Sequence, residues 1–259
     1  MSELVAAIDD SAAARPVLLA AREIARMFGD SLEALYVQED EAGRTAKDLA
    51  TALDVPLTVR RGDPLTEILA AASADDVRGI VVGARRFPSG ARPASRVALE
   101  VIRSCQKPVI VVPPTATVRT GGTHRLLVPL DGQGETASAM RALLARLVPD
   151  AKLEIIAAHV FEPDNVPPFS DQAGHETDAW SQEFLQRWLA ADTTDVALEL
   201  RVGNAAEALR DIAQEVDADV IAMGWKQQLS PSRSQVVSTL VAESNVPLVL
   251  VPLVTPSTA

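Results

Sequence analysis

Two kinds of apolar pattern run along this chain, and both occur twice. Ile80–Val82, stopped by Gly83, and Val109–Val112, stopped by Pro113 and Pro114, are short unbroken apolar runs. Strands read this way when both faces of a parallel sheet are covered. Between them Val97, Val101 and Ile102 fall at helical spacing, with Arg96 and Glu100 on the other face. The same strand, loop, helix and strand return from Val220 to Pro252. Upstream, Val17, Leu18, Ala21, Ile24 and Ala25 share one face of a helix predicted over Ala14–Met27 and ended by Gly29. A further helix is predicted over Leu65–Ala74, opening on Pro64 with Asp63 as its cap.

The repetition spans the chain. Leu4–Asp10 matches Leu126–Gly132 at an offset of 122, and Leu32–Val37 matches Leu153–Val160 at about the same offset. Beyond an insertion near 162–177 the offset grows: Gly62 matches Gly203 and Gly83 matches Gly224, both at 141. Each copy alternates five strands with four helices, which predicts right-handed crossovers and a doubly wound parallel sheet with helices on both faces. The chain therefore divides into a first domain over 1–115, a linker over 116–123 and a second domain over 124–255. The insertion reads as an ordered loop leading into a helix over Asp178–Ala190, with Trp180, Phe184, Leu185, Trp188 and Leu189 at helical spacing. Trp180 and Trp188 fit either core and interface anchors or a ligand platform. The last strands, Val109–Val112 and Leu248–Val251, are expected to pair and cover each other's edges.

Composition narrows the function classes. With 47% apolar and 23% charged residues the chain is of ordinary globular type. A net charge of −11 argues against nucleic acid or an anionic membrane as partner. Its longest apolar runs fall far short of the roughly 20 residues that span a bilayer, and the early acidic residues Glu3, Asp9 and Asp10 do not suit a secretory leader. A single cysteine, Cys105, permits no internal disulfide, fits a cytoplasmic location and is expected to be a small buried residue. The three histidines are scattered and support no zinc site.

Several short pieces, in the same order in both copies, resemble the universal stress protein family. They are Ala7–Ser11 and Pro129–Gly132 after the first strand, Gly62-Asp63-Pro64, Val81–Arg85 and Lys107–Val112. The resemblance identifies a tandem member and implies two five-stranded, adenine-nucleotide alpha hydrolase-like domains joined through their last strands. It also implies a role in stress response without a settled reaction. Some members bind ATP through an Asp after strand one, a Val in strand two and a Gly-x2-Gly-x9-Gly-Ser/Thr loop after strand four. Asp9, Val37 and Gly83 match in the first copy, and Asp131, Val160 and Gly224 in the second.

The loop departs from that pattern. Its second glycine is replaced by Arg86 in one copy and Gln227 in the other, and its late Gly-Ser pair by Ser95-Arg96 and Ser234-Gln235. Backbone N–H groups can approach phosphate closely only where side chains are absent. ATP or AMP binding in the family manner is therefore in doubt. In the first copy Arg85, Arg86 and Arg92 could grip a phosphate with side chains, or be solvated surface beside an Arg96–Glu100 pair. In the second, Ser232 and Ser234 either cap a helix or meet a phosphate. Asp9 and Asp131 either bond a nucleotide or cap a turn, and His159 is expected to be structural or to line the crevice. No nucleophile–base arrangement is apparent. The expectation is a non-catalytic regulatory module with degenerate nucleotide sites, the alternative being an ATP- or AMP-binding protein with slow hydrolysis at most. A homodimer and a separate protein partner both stay open.

Overall fold

A computed structural model describes residues 2–38, 44–84, 94–117, 119–149, 152–167, 173–189, 196–227 and 231–253. The first half runs β1 (Glu3–Ile8), α1 (Ala14–Phe28), β2 (Ser31–Gln38), α2 (Arg44–Ala52), β3 (Leu57–Arg61), α3 (Pro64–Ala72), β4 (Val77–Gly83), α4 (Ala94–Ser104) and β5 (Val109–Val112). The second runs β6 (His124–Pro129), α5 (Gly134–Leu144), β7 (Leu153–Phe161), a short 3-10 turn (Pro163–Asn165), α6 (Ala173–Trp188), β8 (Ala197–Val202), α7 (Ala205–Glu215), β9 (Val220–Trp225), α8 (Pro231–Glu243) and β10 (Leu248–Pro252).

Local chemistry sets several of these ends. Gly29 closes α1 in the left-handed region at φ 66°, returning its N–H to the last carbonyls. A Cβ at Gly29 would stand 2.8 Å from Val148 Cγ1, so the position also lets the second half approach. Asp63 accepts from Thr66 N at the start of α3, with Pro64 in the first turn. Asn204, its counterpart in the repeat, accepts from Ala206 and Glu207 N at the start of α7. Both caps satisfy amides that the helix itself leaves unpaired.

Each half is a doubly wound unit, and the two fuse into one sheet ordered β3-β2-β1-β4-β5-β10-β9-β6-β7-β8. All neighbours are parallel except the central pair, where Val109, Ile110 and Val111 face Leu250, Val249 and Leu248 antiparallel. The expected pairing of last strands is thus what joins the halves. Helices α1, α2, α5 and α6 cover one face of the sheet through residues such as Leu18, Ala46, Met140 and Phe184. The other face is covered by α3, α4, α7 and α8 through Ile68, Val101, Ile212 and Leu240. Each core layer contains residues of both halves, so the seam is bridged on both faces. At its rim Val148 N donates to Met27 O at 3.0 Å, and Arg146 lies 3.5 Å from the buried carboxylate of Asp30.

One local expectation is corrected. Helix α6 begins at Ala173 and ends at Trp188, so it takes in residues read as insertion loop and stops short of Ala190. Its first turn faces solvent and carries no apolar periodicity, while Glu176 there suits the positive end of the helix dipole. Glu100 pairs with Arg103 at 2.9 Å; the side chain of Arg96 lies outside the described residues. Among the described residues no helix is long and apolar enough to cross a membrane.

Candidate functional site

Strand order reverses between β1 and β4 in the first half and between β6 and β9 in the second. In open α/β sheets ligands gather beyond the carboxyl ends of strands at such points. In the second half a cavity of about 1200 Å³ lies there, and Asp131, Val160 and Gly224 all line it. The sequence motif is therefore gathered into one place in that half. His159, Trp180, Asn204 and Lys226 line the same cavity.

The two aspartates cap turns. Asp9 Oδ1 accepts from Ser11 N at 3.0 Å and from the Ser11 hydroxyl, and Asp131 Oδ1 accepts from Gln133 N at 3.0 Å. Val37 and Val160 occupy equivalent strand positions, both partly buried against the α3/α4/α7/α8 face. Arg85 and Arg86, with Arg92, lie outside the described residues. Ser232 and Ser234 lie in the first turns of α8, and their side chains are likewise outside the described residues.

At Gly83 and Gly224 the missing side chain makes room for protein. A Cβ at Gly83 would stand 3.2 Å from Val17 Cγ2, and one at Gly224 would stand 2.9 Å from Leu253 Cδ2. Neither glycine has the positive φ of a phosphate-cradling turn. Gln227 does, at φ 56°. The backbone there keeps a conformation suited to glycine, while the side chain has another use: its Nε2 donates to Cys105 O at 2.5 Å. Trp225, buried, donates from Nε1 to Ile102 O at 3.3 Å. Both acceptors lie at the C-terminal end of α4 in the first half, where helix carbonyls lack intrahelical partners. Trp225 and Gln227 therefore clamp one half on the other.

The cavity wall is aromatic. Trp180 stacks on Phe184 at 4.8 Å between centroids and lies 5.1 Å from Phe161. His159 meets Phe161 edge-on at 4.6 Å and Phe184 at 4.7 Å. His159 Nδ1 is 2.7 Å from Leu130 O. A carbonyl can only accept, so Nδ1 is the donor in this contact. Among the described residues the two lining cations are paired: Lys226 Nζ with Glu135 at 2.6 Å, and Arg210 with Glu243 at 2.8 Å and Asp211 at 3.2 Å.

The expected buried Cys105 is 2% exposed, and burial raises its thiol pKa. Among the described residues no group of three or more His, Cys, Asp or Glu is placed to hold a metal. Sequence reasoning missed the docking role of Trp225 and Gln227. Its one signal was a tryptophan directly after Gly224 where the first half has Ala84. It placed Trp180 as an anchor or a platform, and the structure gives it both an aromatic packing partner and a place in the cavity wall.

Comparison with known proteins agrees with this architecture. The sequence matches the universal stress protein family over residues 41–113 and 122–252. A universal stress protein from Archaeoglobus fulgidus DSM 4304 is similar in structure, with TM-score 0.66 and 16% identity, over 97% of this chain and 98% of that one. A functionally unknown protein from Pseudomonas aeruginosa PAO1 gives 0.59 and 19%, over 97% and 92%. One from P. aeruginosa UCBPP-PA14, described as a putative universal stress protein, gives 0.58 and 18% over the same shares. At such identities the likeness is one of fold, two doubly wound α/β units in tandem. No curated protein matches the chain.

Proposed function

Because this chain belongs to the universal stress protein family, we propose that it acts as a non-catalytic stress-response module whose ligand crevice is that of the second half. The observation that carries the reading is the pair of contacts from Trp225 and Gln227 to Ile102 O and Cys105 O. Trp225 and Gln227, at the start of the segment that would wrap a triphosphate, are committed to the joint between halves, beside the cavity. The residues present do not fit a backbone phosphate cradle: Leu253 occupies the space beside Gly224, and Gln227 stands where a second glycine is required. A ligand in this crevice would be held by side chains, and its occupancy would bear on the seam through Trp225.

Purified chain, analysed by mass spectrometry for copurified nucleotide, then titrated with ATP in a calorimeter and assayed for phosphate release, tests the proposal. The expected outcome is no copurified triphosphate, weak or no ATP heat and no turnover. Stoichiometric, tight ATP binding with hydrolysis would replace it with the alternative of a working ATP- or AMP-binding member.

A further inference from the structure

We infer that the second-half crevice selects a planar, N–H-bearing ring ligand of neutral or positive charge and turns polyphosphates away. This rests on the reading that the second-half crevice is the ligand site, and it names the ligand's chemistry. The first argument is the wall. His159 and Trp180 line the cavity and both pack on Phe184. Such a surface offers π faces to a flat ring and attracts a cation placed over it.

The second argument is charge. Among the described lining residues the carboxylates are Asp131, Glu162, Glu207 and Glu243, and the cations are Lys226 and Arg210. Each cation is already met by a carboxylate, Glu135 for Lys226 and Glu243 with Asp211 for Arg210. The field set up by the described lining residues is therefore negative. A ligand carrying several negative charges meets repulsion there, and one carrying a positive charge is drawn in. The third argument is hydrogen-bond polarity. The carboxylates accept only, and the Nδ1 donor of His159 is already given to Leu130 O. These groups ask for donors from the ligand, which amino-substituted heteroaromatic rings supply and phosphate oxygens do not.

Adenine compounds give a matched test, since the ring can be held constant while charge varies. Titrating the full chain with 1-methyladenosine (a cation at neutral pH), adenosine, AMP and ATP, followed by tryptophan fluorescence and calorimetry, should give affinities falling in that order. Adenosine should bind at least about tenfold more tightly than ATP, and added salt should weaken the cation and strengthen ATP, because screening shrinks both effects. Replacing Glu162→Gln and Glu207→Gln together, at two exposed positions checked for folding by circular dichroism, should narrow the gap between adenosine and ATP. ATP binding more tightly than adenosine would overturn this inference and leave the ligand site standing. Binding by none of the four would refute both the site and its selectivity.

Discussion

The two halves follow one repeated pattern and put equivalent positions to different uses. In the first half, Tyr36 takes the strand position that His159 takes in the second. Its hydroxyl donates to Asp10 Oδ2 at 2.8 Å, and Asp10 Oδ1 accepts from Ala46 N at 2.9 Å. Strand β2, the turn after β1 and the start of α2 are thereby strapped together. In the second half the residue matching Asp10 is Gly132, at φ 70°, and no carboxylate can make that strap. His159 bonds back to Leu130 instead, and the aromatic side chains of β7 and α6 wall a cavity. After the fourth strand the contrast reverses: the first half has Ala84 where the second has Trp225 reaching across to α4. One half uses polar side chains to tie its own elements together, and the other uses a tryptophan to hold its neighbour.

That contrast can be broken in four places. The largest effect is expected from Trp225→Ala, which makes the second half resemble the first at this position. Removing a buried tryptophan costs about 3–5 kcal/mol, read as a lower urea midpoint, and should separate one unfolding transition into two if the seam depends on it. Gly224→Ala should cost about 1–3 kcal/mol by overpacking, since its new methyl would stand 2.9 Å from Leu253 Cδ2. Gly83→Ala should cost less, because Val17 Cγ2 at 3.2 Å needs to yield only slightly. Equal losses in the two variants would erase the distinction between the fourth-strand glycines. Tyr36→Phe should cost about 0.5–1.5 kcal/mol through the lost hydrogen bond, measured by thermal unfolding, with His159→Phe leaving the first half's strap untouched.

The smallest effect concerns Cys105. Burial raises its thiol pKa, so thiolate is scarce until the pH passes the ordinary thiol range, and iodoacetamide should react slowly at pH 8. A folded-state pKa above the unfolded one means the associated stability is whole below the unfolded value and is lost as pH climbs toward the folded one. Gln227→Ala frees the Cys105 carbonyl, and loss of about 1 kcal/mol there should raise opening, and so alkylation, about fivefold. An unchanged rate would mean that Gln227 contributes nothing to the joint.

Much of this was legible in the sequence, for physical reasons that are specific. Unbroken aliphatic runs marked β4, β5, β9 and β10 because they are buried on both faces. The equivalence of Asp63 and Asn204 survived as a helix cap because either side chain can accept from the first-turn amides. The gathering of Asp131, Val160 and Gly224 followed from strand order. The clamp was not legible: its acceptors are the backbone carbonyls of Ile102 and Cys105, more than a hundred residues away in sequence, and a carbonyl has no residue-type signature. Nor was the start of α6, because Gly174 and His175 face solvent and leave no periodicity to count. A left-handed Gln227 was hidden as well, since glutamine does not announce such a backbone.

The antiparallel meeting of β5 and β10 also has a consequence in time. During synthesis β5 leaves the ribosome roughly 140 residues ahead of the strand that will cover it, a wait of roughly 7–28 s at ordinary elongation rates. Through that interval the first half can assemble all five of its strands while the outer side of Val109–Val112 has no neighbour. Nascent chains crowded on one message would be exposed to pairing with one another through this strand, so slow codons or a chaperone acting between the two halves would change the yield of correctly joined protein without touching its final stability.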